Sequence, residues 1–496
     1  MPQAVPVHRA LKSRLIPRFP RALWVLLVAG ALLRVFTMSY WPGRLFYDSL
    51  GYMYAADTDL FAAVEHPAGY PAFLRIVHTF SDQLAVLVVI QHLLGLATAA
   101  LLYAALRRLR QPTVVCLVPA AVVLFNGDQL FYEHAVMSEA LFGFLLAAEL
   151  YAVVRATEER GLTWPLLAGV LLAGAALVRT AGLLLVPVAL VWIFWRRSGD
   201  LRRRAVPVLV AAGAAAYLLV AYVAVQNDET GFTGFSRTAG WSLYARTAQF
   251  ADCSKFDPPS GTAALCESTP PGPELRGGPR FHHWNPASPA WRAFGRPPAG
   301  DDKLGSFGRA AILNQPLDYL ETVGNDLLDY VRRGARGAST WKETDFGVIS
   351  PSLVASTLRK FGYPERYSAL RYFAPVRVHT STAGTLQTYQ ETVRVHGWLL
   401  AAMALLALAG IPLTRGPARA AIVLFALVGF MTLAVPVATI KGSWRYAIPA
   451  FGPLAAAAAV GLAAVLTWAT GGQRSAHKES GVHRLVKHFE SESKAT

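Results

Sequence analysis

Tyr47-Asp48-Ser49-Leu50-Gly51-Tyr52, followed by Glu65-His66-Pro67-Ala68-Gly69-Tyr70-Pro71, stands just after the first apolar segment and decides how the rest of the chain is read. The stretch combines a lone carboxylate, an aromatic cluster and a His-Pro…Gly-Tyr-Pro turn. Pro and Gly at these positions break a helical pattern, so a fixed, partly irregular loop is expected. An acid on a loop pinned between membrane spans points to a site more than to a connector.

The chain around it is 496 residues long, 54% hydrophobic and only 16% charged. Soluble domains carry roughly 25% charged residues, so the composition is that of a polytopic membrane protein. A net charge of +16 would point to nucleic acid in a soluble chain. Here Lys and Arg gather in short clusters between apolar runs, as orientation in a membrane requires, and a nucleic-acid partner is set aside. The basic start leads into a first span read as retained, not as a cleaved signal peptide.

Apolar runs long enough for a bilayer core recur along the chain. They are read at Ala22–Met38, Leu84–Leu106, Thr113–Phe125, Ala135–Val154, Trp164–Trp195, Val206–Val225, Gly397–Leu413, Ala418–Val437 and Ala447–Trp468. The long run at 164–195 is interrupted at Arg179-Thr180-Ala181-Gly182 and is read as two short spans, giving about ten in all. Residues 1–225 form one transmembrane module, with the outer loop at 39–83. Residues 226–395 are expected to be an extracytoplasmic domain of short helices and irregular loops, 396–470 the last spans, and 471–496 a disordered basic tail. An inside N-terminus places Arg107–Arg110, Arg155–Arg160, Arg196–Arg204, Arg415–Arg419 and the tail inside. Both termini are then cytoplasmic, and every charged residue that looks chemical falls outside.

Several residues on that outer side can carry chemistry. Asp48, partly desolvated at interfacial depth, is expected to have a raised pKa and to serve as a base; the competing role is a cap for the helix starting at Ser49. Glu139 opens a span, where an acid faces a cavity or favours the helix dipole. Glu133 and His134 read as interface anchors. Arg179, among Ala, Leu and Val, needs an anionic partner or a route to the surface, and Arg34 poses the same question. Lys441 and Arg445 flank Trp444 and stand beside Tyr446; two cations with aromatics can clamp a phosphate or anchor to lipid headgroups. His66 is a proton carrier or a loop-ordering hydrogen bonder, and Tyr70 a cavity wall. Cys116 reads as inert packing. Cys253 and Cys266 lie close enough in the polar region to bridge if it is extracytoplasmic. No spacing argues for a metal.

Together these residues describe an outer-face cavity with a base, several cations and many aromatics, suited to a phosphate-bearing lipid and a sugar. The first-loop pattern resembles that of the GT-C membrane glycosyltransferases, nearest the family-39-like branch related to protein O-mannosyltransferases and the lipid A aminoarabinose transferase. Met137-Ser138-Glu139, Leu177-Val178-Arg179-Thr180-Ala181-Gly182-Leu183 and Arg445-Tyr446 with Pro449 follow in the same order. The resemblance covers the spans to about Val225 and the last outer loop. It implies a GT-C-like fold and inverting transfer of a hexose or pentose, mannose and arabinofuranose among them, from a polyprenyl-phosphate donor. The acceptor would be an envelope glycan, lipid or protein. Asp48 matches the acid that acts as base, with Arg445, Lys441 and Arg179 as candidates for the phosphate. Where the family often carries a second acid, this chain has Ser49, which weakens the argument for a divalent metal and leaves Glu139 or Glu65 to supply another carboxylate. The rival reading is a transporter or flippase of lipid-linked intermediates; the absence of an internal repeat and the outer position of the charges weigh against it.

Overall fold

The computed structural model describes residues 20–40, 43–266, 278–334, 372 and 383–492. Among these the secondary structure is helical, with one isolated parallel bridge between Arg44 and Ala135. Among the described residues seven helices are long and apolar enough to cross a membrane, or eight if a bent pair is one span, against the ten or so expected. In that pair the helices Thr113–Phe125 and Gly127–Glu133 meet at 55°. Two shorter apolar helices, Thr163–Val178 and the segment Thr180–Arg196, meet at the break expected near Arg179. There the chain turns through an extended residue, φ −148° and ψ 127°, into a 3-10 turn.

The opening stretch is more regular than expected. Tyr47–Asp57 and Gly69–Phe80 are both helices. Gly69 and Pro71 do not break the second; they start it, because a proline in the first turn forfeits no helical hydrogen bond. Gly69 is also where the loop touches the Arg179 turn: a Cβ there would stand 2.4 Å from the Leu177 carbonyl oxygen. Ser49, the position of the missing second acid, is fully buried. Its Oγ donates to Val136 O (2.7 Å) and accepts from Phe46 N (2.8 Å), so it caps a helix and faces away from the solvent.

The polar turn at 126–134 is likewise not at the water. Asn126 Oδ1 accepts from Asp128 N and Gln129 N and opens the helix Gly127–Glu133, which is buried along its whole length. Glu133 and His134, expected as interface anchors, are inside the protein because they have partners there. Arg34 donates to both Glu133 oxygens at 2.8 and 2.9 Å, and His92 links Glu133 (3.0 Å) to His134 (3.1 Å). Four buried polar side chains therefore satisfy one another, which is the condition on which such groups are tolerated in a core.

A separate small core of Trp241, Tyr244, Phe256, Leu265, Leu304 and Phe307 organises a domain after the helix Leu201–Thr230, with Cys253 and Cys266 bridged at a Cα separation of 5.9 Å. This domain grips two loops of the membrane part. Ser236 Oγ donates to Glu65 O (3.0 Å) and Arg237 N to Val64 O (2.9 Å). Asp326 accepts from Gly442 N (3.3 Å), and Tyr330 donates to Ser443 O (3.0 Å). The last helix, Trp444–Glu492, supplies a span over Trp444–Gly471 and continues through the stretch expected to be a disordered tail. That stretch contains no proline to end a helix.

Candidate active site

Four segments remote in sequence converge on one cavity of about 400 Å³: the Asp48 helix, the His66 turn, the Arg179 break and the 441–446 loop. Asp48 lies in the first turn of its helix, and its Oδ2 accepts from Arg445 Nη2 at 2.6 Å. His66 Nε2 is 3.8 Å from the same oxygen. Arg445 Nε is also 3.4 Å from Glu139 Oε1, which takes a 2.7 Å hydrogen bond from Arg179 Nη1. Both guanidinium groups lie over the Tyr446 ring, 4.9 Å away for Arg179 and 5.0 Å for Arg445. Asp48, Arg179, Arg445 and Lys441 thus line the cavity, with Glu139 buried behind the two arginines.

The electrostatics of Asp48 differ from the raised pKa expected of it. Burial does push its carboxyl up, but Arg445 and, less strongly, His66 and Lys441 outweigh burial and hold it well below the usual carboxylate range. The sequence shows Asp48 at interfacial depth and not the guanidinium that meets it 397 positions away. For His66 the balance runs the other way. Burial and the two arginines lower it more than Asp48 raises it, to about 4, so its imidazole is neutral at pH 7. At neutral pH the Asp48–Arg445 contact is therefore the ion pair, and His66 is a neutral neighbour 3.8 Å from Asp48.

Tyr70, expected as a cavity wall, stands one layer behind. It is fully buried, donates to Gln91 Oε1 at 2.8 Å, and packs edge-on against Tyr52 at 4.8 Å between ring centroids. Gln91 in turn donates to the carbonyls of Glu133 (3.0 Å) and Ala135 (2.7 Å). The wall is Tyr52, which stacks near His66 (4.7 Å) and reaches Ser138 Oγ at 3.3 Å. Tyr52 belongs to the opening motif, yet nothing in its spacing distinguishes it from the other aromatics there. Asp128, which the sequence places only at an outer turn, accepts from Gln390 (2.8 Å), Arg394 Nε (3.0 Å) and Trp444 Nε1 (2.9 Å). It fixes the residue beside Arg445. Among the described residues no group of three His, Cys, Asp or Glu side chains is placed to hold a metal ion.

Residues 65–225 match the model of the family described as dolichyl-phosphate-mannose-protein mannosyltransferase. The match contains His66, Glu139 and Arg179 and stops short of Asp48 and Arg445. The comparison with curated proteins returns no match. Among solved structures the chain is similar to the S. cerevisiae protein O-mannosyltransferase Pmt1-Pmt2 complex bound to the sugar donor, at 18% identity and TM-score 0.35, over 48% of this chain and 38% of that one. It is also similar to the Archaeoglobus fulgidus oligosaccharyltransferase AglB, in complex with an inhibitory peptide and a dolichol-phosphate, at 12% identity and TM-score 0.43, over 92% of this chain and 52% of that one. The chain spans about half the length of these proteins or less. The matched stretch from Glu65 to Val225 contributes eight of the residues lining the cavity, among them His66 and Arg179, and it is this part of the chain that is similar to the mannosyltransferase family.

Proposed function

We propose that the chain transfers a sugar from a polyprenyl-phosphate donor to a hydroxyl on the outer face of the membrane, with inversion and with Asp48 as general base. The observation that carries this reading is the Asp48–Arg445 pair, a carboxylate and a guanidinium 2.6 Å apart in a cavity that also presents Arg179 and Lys441. A lipid phosphate is a better-matched partner for Arg445 than one carboxylate oxygen, since it offers the fork two acceptors and more charge. As the phosphate draws Arg445 away, burial of Asp48 is less opposed, its pKa rises, and it becomes a competent base. The acceptor oxygen then attacks the anomeric carbon as its proton passes to Asp48. The bond from that carbon to the phosphate oxygen breaks, and the phosphate departs with the electron pair, its charge met by the fixed cations. Attack opposite the leaving group inverts the anomeric centre. Glu139 stays paired to Arg179 and holds that arginine in place while Arg445 shifts.

The orientation with both termini cytoplasmic, the positive-inside pattern and the disulfide on the opposite side support an outer-face reaction. The test is the purified chain in proteoliposomes with polyprenyl-phosphate mannose and polyprenyl-phosphate arabinofuranose. The expected result is a glycoside product with inverted anomeric configuration by NMR. Movement of the lipid-linked sugar across the bilayer with no product would instead establish the transporter reading.

A further inference from the structure

One side of the cavity plays no part in the steps above. It belongs to the outer domain and is formed by the short helix Pro279–Trp284 together with Thr238 and Ser242. His283 is one of the residues on this side. Its residue is 6% exposed, it lines the cavity, and its Nε2 is buried with no hydrogen-bond partner among the described residues. The ring is nonetheless held firmly. It stacks on Trp284 at 4.1 Å with 16° between planes, lies 6.0 Å from the Trp241 ring, and its carbonyl oxygen accepts from Trp291 Nε1 at 2.9 Å. A buried imidazole nitrogen left without a hydrogen bond is costly, and a fold that fixes the ring there at a cavity wall has placed a group for something to bind.

Building on the proposed transfer reaction, we infer that this side of the cavity is the acceptor subsite and that it takes a sugar ring, with His283 hydrogen-bonding a ring hydroxyl beside Trp284. The lipid tail of the donor must enter from the membrane, where Val178, Ala181, Val435 and Pro436 line the cavity, so the outer-domain side is left to the acceptor. The chemistry favours a sugar over a peptide. A neutral imidazole gives one donor and one acceptor, the complement of a hydroxyl, and the indole beside it offers an apolar surface to C–H groups. Burial and the nearby Lys441 keep His283 neutral, pushing it down to about 3. Thr238 and Ser242 add further hydroxyls to the same wall.

Binding is read without turnover, by saturation-transfer NMR on the full chain in nanodiscs, with methyl α-mannopyranoside and methyl arabinofuranoside as probes and a Ser/Thr-containing peptide as the comparison. Wild type should saturate one of the glycosides. His283→Ala should weaken that binding at least tenfold, while His283→Gln, which keeps a donor and an acceptor, should recover most of it. A melting curve for each variant separates lost binding from lost folding. No glycoside signal in wild type, an unchanged signal in a folded His283→Ala protein, or His283-dependent binding of the peptide alone would overturn the inference. Glycoside binding that depends on His283 in a chain that transfers nothing would uphold the subsite and reject the proposed reaction.

Discussion

Asp48 is held, in the structure described, by the group that the donor phosphate is proposed to claim. That makes Arg445 the residue whose geometry matters most after Asp48 itself. Arg445→Lys keeps the charge and loses the fork, and a hydrogen bond to a charged group is worth roughly 1.5–3 kcal/mol. Donor KM is therefore expected to rise about 10–100-fold in a transfer assay, at 1.4 kcal/mol per factor of ten. His66 gives a second residue-scale prediction. Its folded pKa, about 4, lies below the ordinary histidine value, so between the two the unfolded chain binds a proton that the folded chain refuses. Stability contributed at this site should be complete above about pH 6.5 and fall as the pH drops toward 4. His66→Gln should flatten that part of the pH dependence of the unfolding midpoint; an unchanged slope would place the titrating group elsewhere.

At the scale of elements, the site depends on two polar anchors that the sequence could not pair. Arg34 and Glu133 are 99 positions apart, and Asp128 is 266 from Arg394 and 316 from Trp444. Each residue can be seen in the sequence as a charge in or beside an apolar run, but the partner that makes it tolerable is set by helix packing. Glycine spacing is equally silent: Gly95 leaves room for Glu133, since a Cβ there would stand 1.9 Å from Glu133 Oε1. The apolar helices and the break at Arg179 were legible because apolar length and a lone arginine are local signals, whereas the count of about ten spans was not, since seven or eight among the described residues are long enough to cross. The helices at 47–57 and 69–80 were not, because Gly and Pro mark starts as well as stops. The Asp128 anchor makes a direct prediction. Asp128→Ala strands the nearly buried Arg394 and removes the acceptor of Trp444, at an expected cost of roughly 3–5 kcal/mol. A fall in the unfolding midpoint together with a raised donor KM would show that the anchor acts through Arg445. A fall in midpoint alone would limit it to stability.

For the whole molecule, the domain built around Trp241 and the membrane part form one site between them, joined at Val64–Glu65 and at Gly442–Ser443. Its composition showed that a domain lay there, and its cysteines showed where a bridge could form. The contribution of His283 and Trp284 to the cavity was not legible, since two adjacent aromatics in a polar stretch resemble ordinary core. The proposed orientation is testable on the same bridge. In intact cells an impermeant reductant followed by an impermeant maleimide should label Cys253 and Cys266, while Cys116, buried at the edge of a span, stays unlabelled. Labelling that requires permeabilised cells would reverse the topology.

The central claim is that Asp48 takes the acceptor proton, and one measurement addresses it directly: single-turnover sugar transfer by purified Asp48→Asn with donor saturating. General-base catalysis contributes about 10²–10⁴-fold, so the rate of the chemical step should fall by that factor while donor affinity holds or improves, Arg445 having lost its competitor. Transfer at the wild-type rate by a folded Asp48→Asn protein would contradict the account.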